Sequence, residues 1–384
     1  MTELSSVGQL GPVRHSLVPT TTSPAFTSVV RHVVIAGRGP YVNVGNPAKS
    51  AWMRLLCWAA TAMPAIVVLG LATPAGAISF GQPDNGQHPN VVSLRFIRPN
   101  FDASLSCTGT LIAKDKKKYV FLTAAHCAQA ELGGWNAQPA GSGSVGVSFD
   151  EVNPPNDTDP TDGGADGVNF VNQGVAIPSP LYHFPGSAGN NDQFDQALVV
   201  VPLSATNSFG ETIAKRWSSV PGALSPATNL ADIGEVDRIV TSYANPGQDL
   251  TFTAVGYGTQ SDKSPQASGD GNMIKQDPNA TFLNRNRVIV GFKNLNGLMI
   301  NVMVNAAQGF GYTCPGDSGS PAIYTDPSGH ERILGVLTAG NCRSFGAYSR
   351  IDFQETSDFI HCAYAVGDVA AVRDCVTRRF GSGL

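Results

Sequence analysis

The amino-acid sequence predicts an all-β protein arranged as two antiparallel β-barrels. The chain has 384 residues, of which only 14% are charged, and it contains 42 glycines and 26 prolines. Short apolar runs alternate with turns rich in Gly, Pro, Asn and Asp, a pattern typical of barrels and sandwiches. The formal net charge is -4, so nucleic acid is not an expected partner.

Eight apolar runs are predicted as strands. They lie at 91–96, 119–125, 197–203, 251–259, 287–292, 297–305, 320–325 and 333–340. Near the C-terminal end, "SDFIHCAYA" predicts a helix over 357–365, with Ser357 or Asp358 as its cap. Residues 204–250 show only weak patterning, and we interpret them as an insertion on the second barrel or on the link between the barrels.

The N-terminal part predicts export. Residues 53–77 begin with a basic side chain, continue through a short apolar core and end in small residues, which is the order of a secretory signal peptide. A membrane anchor is the alternative, but the apolar core is short and is followed by Pro74. We expect cleavage after Ala77 and no stable membrane association afterwards. Residues 1–52 have no clear period, and our hypothesis is that translation starts at Met53.

The cysteine count agrees with an exported protein. One of the seven cysteines, Cys57, lies inside the predicted signal. Its removal leaves an even number, as expected where disulfides persist. The remaining six are Cys107, Cys127, Cys314, Cys342, Cys362 and Cys375.

One short stretch predicts nucleophilic chemistry. "CPGDSGSPA" places Ser318 between an acid and a glycine. A serine hydroxyl needs a base, and the base needs an orienting acid. His126 in "FLTAAHCAQA" is the best base, because it ends an apolar strand-like run beside Cys127. The other histidines precede the signal or stand in polar or turn-like settings. The structural alternative is an ordinary serine in a Gly-rich turn.

"LTAAHC" and "GDSGSP" resemble the two signature segments of the trypsin-like serine peptidases. The resemblance covers most of 78–360, and it departs from the family at Ser320, where glycine is usual. It implies two six-stranded barrels with the active site in the cleft between them. By that division the first barrel spans about 78–203, the second about 204–355, and a helical segment 356–384.

The resemblance also implies the order His126, Asp195, Ser318 for a catalytic triad. Asp195 precedes an apolar strand in a pattern similar to the family's Asp-x-Ala-Leu, whereas Asp192 is a competitor in a Gly/Asn-rich loop. Ser318 would attack the scissile carbonyl and His126 would accept its proton. Asp195 would hold the imidazole in the required tautomer. The backbone amides of Gly316 and Ser318 would bind the oxyanion.

Further roles follow only from the resemblance. Asp317 would pair with the α-ammonium of Ile78, the first residue after the predicted cleavage. Three disulfides are implied: Cys107–Cys127, Cys314–Cys342 and Cys362–Cys375. The substrate pocket is assigned to Tyr312, Thr338, Ala339, Gly340 and Gly346. The uncharged Tyr312 at the pocket base argues against an Arg or Lys preference, and the two glycines are expected to keep the walls apart.

We therefore expect a secreted serine endopeptidase that acts on polypeptide substrates as a monomer, without a cofactor or metal. The acidic loop 156–167 offers oxygen ligands for calcium, but it fits no EF-hand pattern, and a solvated loop is the simpler interpretation. A catalytically silent relative that binds a partner is the alternative. An esterase is less well supported, because Ser320 interrupts the Gly-x-Ser-x-Gly pattern of its nucleophile turn.

Overall fold

A computed structural model describes nine segments of the chain. They are residues 81–97, 104–128, 145–152, 170–182, 193–243, 249–260, 281–282, 284–342 and 344–381. The predicted signal 53–77, the segment 1–52 and the acidic loop 156–167 lie outside the described residues. In the described part no helix is long and apolar enough to cross a membrane.

Fifteen strands and five α-helices make up the described structure. The strands are β1 (Gln82–Pro83), β2 (Val91–Ile97), β3 (Ser104–Lys114), β4 (Lys118–Thr123), β5 (Val145–Ser148), β6 (Val171–Pro178), β7 (Ala197–Pro202), β8 (Thr251–Gly256), β9 (Thr259–Gln260), β10 (Thr281–Phe282), β11 (Asn286–Asn296), β12 (Met299–Met303), β13 (Pro321–Thr325), β14 (Glu331–Gly340) and β15 (Gly346–Arg350). The helices are α1 (Ala125–Ala128), α2 (Ile213–Trp217), α3 (Glu235–Ser242), α4 (Gln354–His361) and α5 (Val369–Phe380).

Two closed antiparallel six-stranded barrels form the body, as predicted. The first has the strand order β2-β3-β4-β7-β6-β5 and closes between β5 and β2. The second has the order β8-β11-β12-β15-β14-β13 and closes between β13 and β8, with β1 added at β11. Closure pairs the backbone of every barrel strand on both sides, which removes exposed sheet edges.

The C-terminal helices cover the first barrel. Every residue of β4 is buried, although alternation would place half of its side chains outside the barrel. Val372 and Val376 of α5 belong to the same apolar core as the first barrel, and the Lys118 ammonium donates to the carbonyl of Ala365 at 2.5 Å. A continuous apolar run such as "YVFLT" is therefore expected here, because both faces of the strand are covered.

All eight predicted strands are confirmed, but the sequence interpretation missed several elements. The strands β3, β5, β6 and β15 contain Ser, Thr or Gly at buried positions, which hides their apolar character. The weakly patterned region contains α2 and α3. The predicted cap is wrong: α4 begins at Gln354 after the extended Phe353, so Ser357 and Asp358 lie inside the helix.

A buried ion pair connects the chain's first described segment to the second barrel. Asp84 is fully buried and accepts from Arg285 Nε at 2.9 Å and from the amide of His88 at 2.9 Å. Arg285 is 1% exposed, and its Nη1 also donates to the carbonyl of Val91, at the start of β2. Burial alone would raise the pKa of Asp84, but the hydrogen bonds of His88 and the charges of His88 and Arg285 hold it below its usual value.

Candidate active site

His126 and Asp195 are in direct contact at one end of the first barrel. The chain leaves β4 at Thr123 and turns into the single-turn helix α1, which carries His126. Asp195 Oδ2 lies 2.7 Å from His126 Nδ1, and Asp195 Oδ1 accepts from the His126 amide at 2.8 Å. Asp195 is fully buried, whereas the His126 side chain is 16% exposed. One carboxylate therefore orients both the ring and the backbone of the histidine.

A strained turn presents Asp195 to the histidine. Phe194 has a φ of 61°, in the left-handed region that non-glycine residues rarely adopt. Gln196, the residue after Asp195, is fully buried. Its Nε2 donates to the Ser349 hydroxyl at 2.5 Å and to the Arg350 carbonyl at 3.2 Å. This anchor in the second barrel holds the turn, so Asp195 keeps its position at the start of β7. The competitor Asp192 lies outside the described residues.

Ser318 stands in the loop between Cys314 and β13, and this loop packs against the strands that lead to His126. The Ser318 carbonyl accepts from the amide of Thr108 at 2.8 Å, and its oxygen lies 3.9 Å from Cys127 Sγ. Gly319 has a φ of 87°, and a Cβ there would overlap the Thr108 carbonyl and the Thr123 hydroxyl. The close approach of the two barrels at this point thus requires glycine after the serine.

The predicted oxyanion donors are available. Gly316 has a φ of 98°, which its lack of a Cβ permits. In the described segments the amides of Gly316 and Ser318 have no protein acceptor, whereas those of Asp317 and Gly319 donate to the carbonyls of Cys314 and Leu337. Two free N–H groups on either side of one acidic residue can bind a developing negative charge.

Asp317 is fully buried beneath this loop. Its Oδ1 accepts from the amide of Gly258 at 2.7 Å, and its Oδ2 accepts from the amide of Cys314 at 2.8 Å. Burial raises the pKa of Asp317 to about 7, although both hydrogen bonds oppose the increase. A Cβ at Gly256 or Gly258 would overlap the carboxylate. Among the described residues no cation pairs with Asp317, and Ile78 lies outside them.

The six cysteines form the three predicted disulfides. Cys107–Cys127 joins β3 to the helix that carries the histidine, and Cys314–Cys342 joins the serine loop to the segment after β14. The third, Cys362–Cys375, joins the turn after α4 to α5. Two of the three bridges therefore restrain the segments on which the candidate site depends.

The two glycines of the predicted pocket are neighbours on paired strands, and both lie beside Thr313. Gly340 pairs with Gly346 across β14 and β15, and Tyr312 packs on the second barrel's core. A Cβ at Gly340 would lie 2.5 Å from Thr313 Oγ1, and one at Gly346 would lie 3.3 Å from the same atom. The Thr313 hydroxyl therefore lies on the side of each glycine where a side chain would project, and the expectation that the two glycines keep the walls apart stays a prediction. Thr338 is buried on the same strand as Gly340.

Two threonines at this site were missed by the sequence interpretation. Thr313 is fully buried beside the pocket glycines, and Thr108 is fully buried between the barrels. The only signal for them in the sequence was that each threonine stands next to a cysteine of the predicted disulfides. Within the described ranges no group of three or more His, Cys, Asp or Glu side chains is placed to hold a metal ion.

No protein-family model matches the chain, and no curated protein matches it. Among solved structures the chain is similar to one titled "HL collagenase", with 19% identity and a TM-score of 0.39. The match covers 71% of this chain and 92% of the collagenase chain. At this identity and TM-score the likeness carries no information about activity.

Proposed function

We propose that the protein is a secreted serine endopeptidase that hydrolyses peptide bonds through an acyl-enzyme. One observation carries the proposal: a fully buried carboxylate, Asp195, accepts from both the ring and the backbone of His126. A histidine held in this way can take a proton on Nε2 while its charge is stabilised at Nδ1. The three disulfides support an oxidising, extracellular location.

In the proposed reaction Ser318 Oγ attacks the scissile carbonyl carbon and its proton passes to His126 Nε2. The carbonyl oxygen becomes an oxyanion bound by the amides of Gly316 and Ser318. Collapse of the tetrahedral intermediate breaks the peptide C–N bond, and His126 gives its proton to the leaving amine. Water then attacks the acyl carbon while the same histidine takes its proton, the bond between that carbon and Ser318 Oγ breaks, and His126 returns the proton to Oγ. Each oxyanion donor of this kind contributes about 3–4 kcal/mol of transition-state stabilisation.

We propose that Asp317 links N-terminal processing to the loop that carries the serine, through an ion pair with the new α-ammonium. An α-ammonium at Ile78, released by cleavage after Ala77, would supply the cation that the described residues do not place beside this buried carboxylate. Ion pairing favours the charged form of a carboxyl group. Processing would therefore stabilise the loop that carries Gly316 and Ser318.

We also propose that substrates present small, uncharged side chains to the primary pocket. Thr313 fills the space beside Gly340 and Gly346, and no acid stands at Tyr312 to select a basic side chain. A peptide library cleaved by the secreted protein should show Ala, Gly or Ser before the scissile bond. Cleavage mainly after Arg, Lys or a large aromatic residue would contradict this specificity, but not the reaction type.

The proposed reaction is tested with a fluorophosphonate probe on the mature secreted protein. The probe phosphonylates an activated serine, and peptide mapping identifies the modified residue. We expect labelling at Ser318 that is lost in Ser318→Ala. The matched control is Ser320→Ala, which removes a buried serine hydroxyl from the same loop and should retain labelling. Absence of labelling in a folded, disulfide-bonded wild-type protein would contradict the proposal.

A second candidate is a secreted binding protein that retains a peptidase fold without turnover. The position of Thr313 beside the pocket glycines favours it, because the threonine reduces the space for a substrate side chain. This candidate predicts a folded protein that neither reacts with the probe at Ser318 nor cleaves a denatured protein mixture.

A further inference from the structure

Thr108 contacts the predicted oxyanion loop through both its backbone and its side chain. It lies in β3, directly after Cys107, and it is fully buried. Its amide donates to the Ser318 carbonyl at 2.8 Å. Its hydroxyl donates to the Gly316 carbonyl at 3.0 Å. One residue of the first barrel thus binds the loop on both sides of Asp317.

The direction of the hydroxyl proton follows from its second partner. Thr108 Oγ1 lies 3.1 Å from the amide nitrogen of Tyr257, which can only donate. The hydroxyl must therefore accept from Tyr257, and its own proton is free for the Gly316 carbonyl. The neighbouring amide of Gly258 donates to Asp317 Oδ1. Thr108 thus binds the loop directly and also binds the turn that holds Asp317.

Gly316 is a residue at which such a restraint has an effect. Its φ of 98° is allowed for glycine, but glycine also adopts many other backbone conformations at low cost. The peptide group between Gly316 and Asp317 is planar, so fixing its carbonyl fixes its orientation. Thr108 holds the oxygen of this group, and the Cys314 carbonyl accepts from its N–H at 3.0 Å. Without the Thr108 hydroxyl only the Cys314 carbonyl holds this group, and its rotation would change the relative orientation of the peptide groups on either side, which carry the amides of Gly316 and Ser318.

We propose that Thr108 is a positioning residue for the oxyanion loop, acting through the hydrogen bond from its hydroxyl to the Gly316 carbonyl. This inference rests on the proposed peptidase function. Thr108 does not contact the reacting atoms, so its loss should reduce transition-state stabilisation while substrate binding is largely kept. The signature is a decrease in kcat with little change in KM.

The experiment compares three substitutions in the mature secreted protein. Thr108→Val keeps the shape and removes the hydroxyl, whereas Thr108→Ser keeps the hydroxyl and removes the methyl group. Thr110→Val is the matched control, because Thr110 lies on the same strand, is 2% exposed, and its hydroxyl has no protein partner within the described segments. The measurements are kcat and KM on a peptide substrate, affinity for a peptide boronic acid that forms a tetrahedral adduct with serine, and thermal stability.

We expect Thr108→Val to lower kcat and the affinity for the boronic acid by about 10- to 100-fold, the range for a buried hydrogen-bond partner left unmatched. KM should change by less than about threefold, and Thr108→Ser and Thr110→Val should stay within about threefold of the wild type in kcat. If Thr108→Val fails to fold, Thr108→Ala provides the same comparison with Thr108→Ser.

Two results would overturn this inference and leave the proposed function intact. One is a kcat close to that of the wild type in folded Thr108→Val, and the other is an equal loss of kcat in Thr108→Ser. A wild-type protein that neither turns over substrate nor reacts at Ser318 would overturn the proposed function, and this inference with it. A loss confined to KM would assign Thr108 to substrate binding instead and would also overturn the positioning role.

Discussion

Replacing Asp195 by asparagine should abolish the base function of His126 while leaving the fold intact. In the structure Asp195 Oδ1 accepts from the His126 amide and Oδ2 lies 2.7 Å from His126 Nδ1. A backbone amide can only donate, so the asparagine oxygen must stay on that side. The asparagine NH₂ group then faces Nδ1 and donates to it. Nδ1 becomes an acceptor, and the ring proton moves to Nε2.

A neutral imidazole protonated on Nε2 has no lone pair there to receive the serine proton. The reverse orientation of the amide would place two donors against each other in a fully buried site, which costs about 1–3 kcal/mol for the unsatisfied groups. The wrong tautomer in a Ser-His-Asp site lowers kcat by about 10⁴-fold. That factor corresponds to roughly 5 kcal/mol of activation free energy. We expect a decrease of this size for Asp195→Asn.

The assay is kcat/KM on a peptide substrate near neutral pH, together with the rate of fluorophosphonate labelling at Ser318. Asp192→Asn is the matched control, since it removes the same charge three residues earlier and should change kcat/KM by less than about threefold. Urea unfolding of each variant checks the fold. A loss below about tenfold in folded Asp195→Asn, or an equal loss in Asp192→Asn, would refute the assignment of Asp195.

Three further predictions concern stability and are best measured in the Ser318→Ala background, which removes the proposed nucleophile and so prevents autolysis. Asp84→Ala leaves the buried Arg285 guanidinium without this carboxylate and should lower the free energy of unfolding by about 3–5 kcal/mol. The control is Glu151→Gln, because Glu151 lies 3.7 Å from the same guanidinium but is 35% exposed, and it should cost less than about 1 kcal/mol. Equal effects of the two substitutions would contradict the role of burial. In the unprocessed protein, which has no free α-ammonium at Ile78, burial raises the pKa of Asp317 from 3.8 to about 7, so its contribution to stability is full below pH 3.8 and is lost as pH rises through about 7. Unfolding titrations of that form should show this loss relative to Asp317→Asn. The processed form should not show it, because pairing with the α-ammonium favours the charged carboxylate, and an equal loss in both forms would contradict the pairing. Replacing Cys362 and Cys375 by serine opens a bridge with a sequence separation of 13 and should cost about 3 kcal/mol in a urea titration, while an unchanged midpoint would show that α5 is held by packing alone.

Elements with a local sequence signal were predicted, whereas elements whose burial depends on distant contacts were missed. The run "YVFLT" identified β4 because both of its faces are buried, and the Gly-rich loop around Ser318 was recognisable because the backbone there needs glycine at positive φ. By contrast, β3 carries Ser and Thr at buried positions, so apolar periodicity did not reveal it. The cap of α4 was misplaced because a serine inside a helix gives the same local signal as one at its start.

The sequence by itself determined the all-β class, the eight strand runs, the disulfide cysteines and the candidates His126 and Ser318, because these depend on residue type and short spacing. The candidate Asp195 came from a resemblance to the Asp-x-Ala-Leu pattern of the trypsin-like serine peptidases. Only the tertiary structure decided which distant polar groups meet. The hydroxyl of Thr108 and the carbonyl of Gly316 are 208 residues apart in sequence, and the hydrogen bond between them exists only because the two barrels pack together. The same holds for Thr313 between the pocket glycines. A buried polar side chain has no local pattern of its own, since its partner is chosen by the fold.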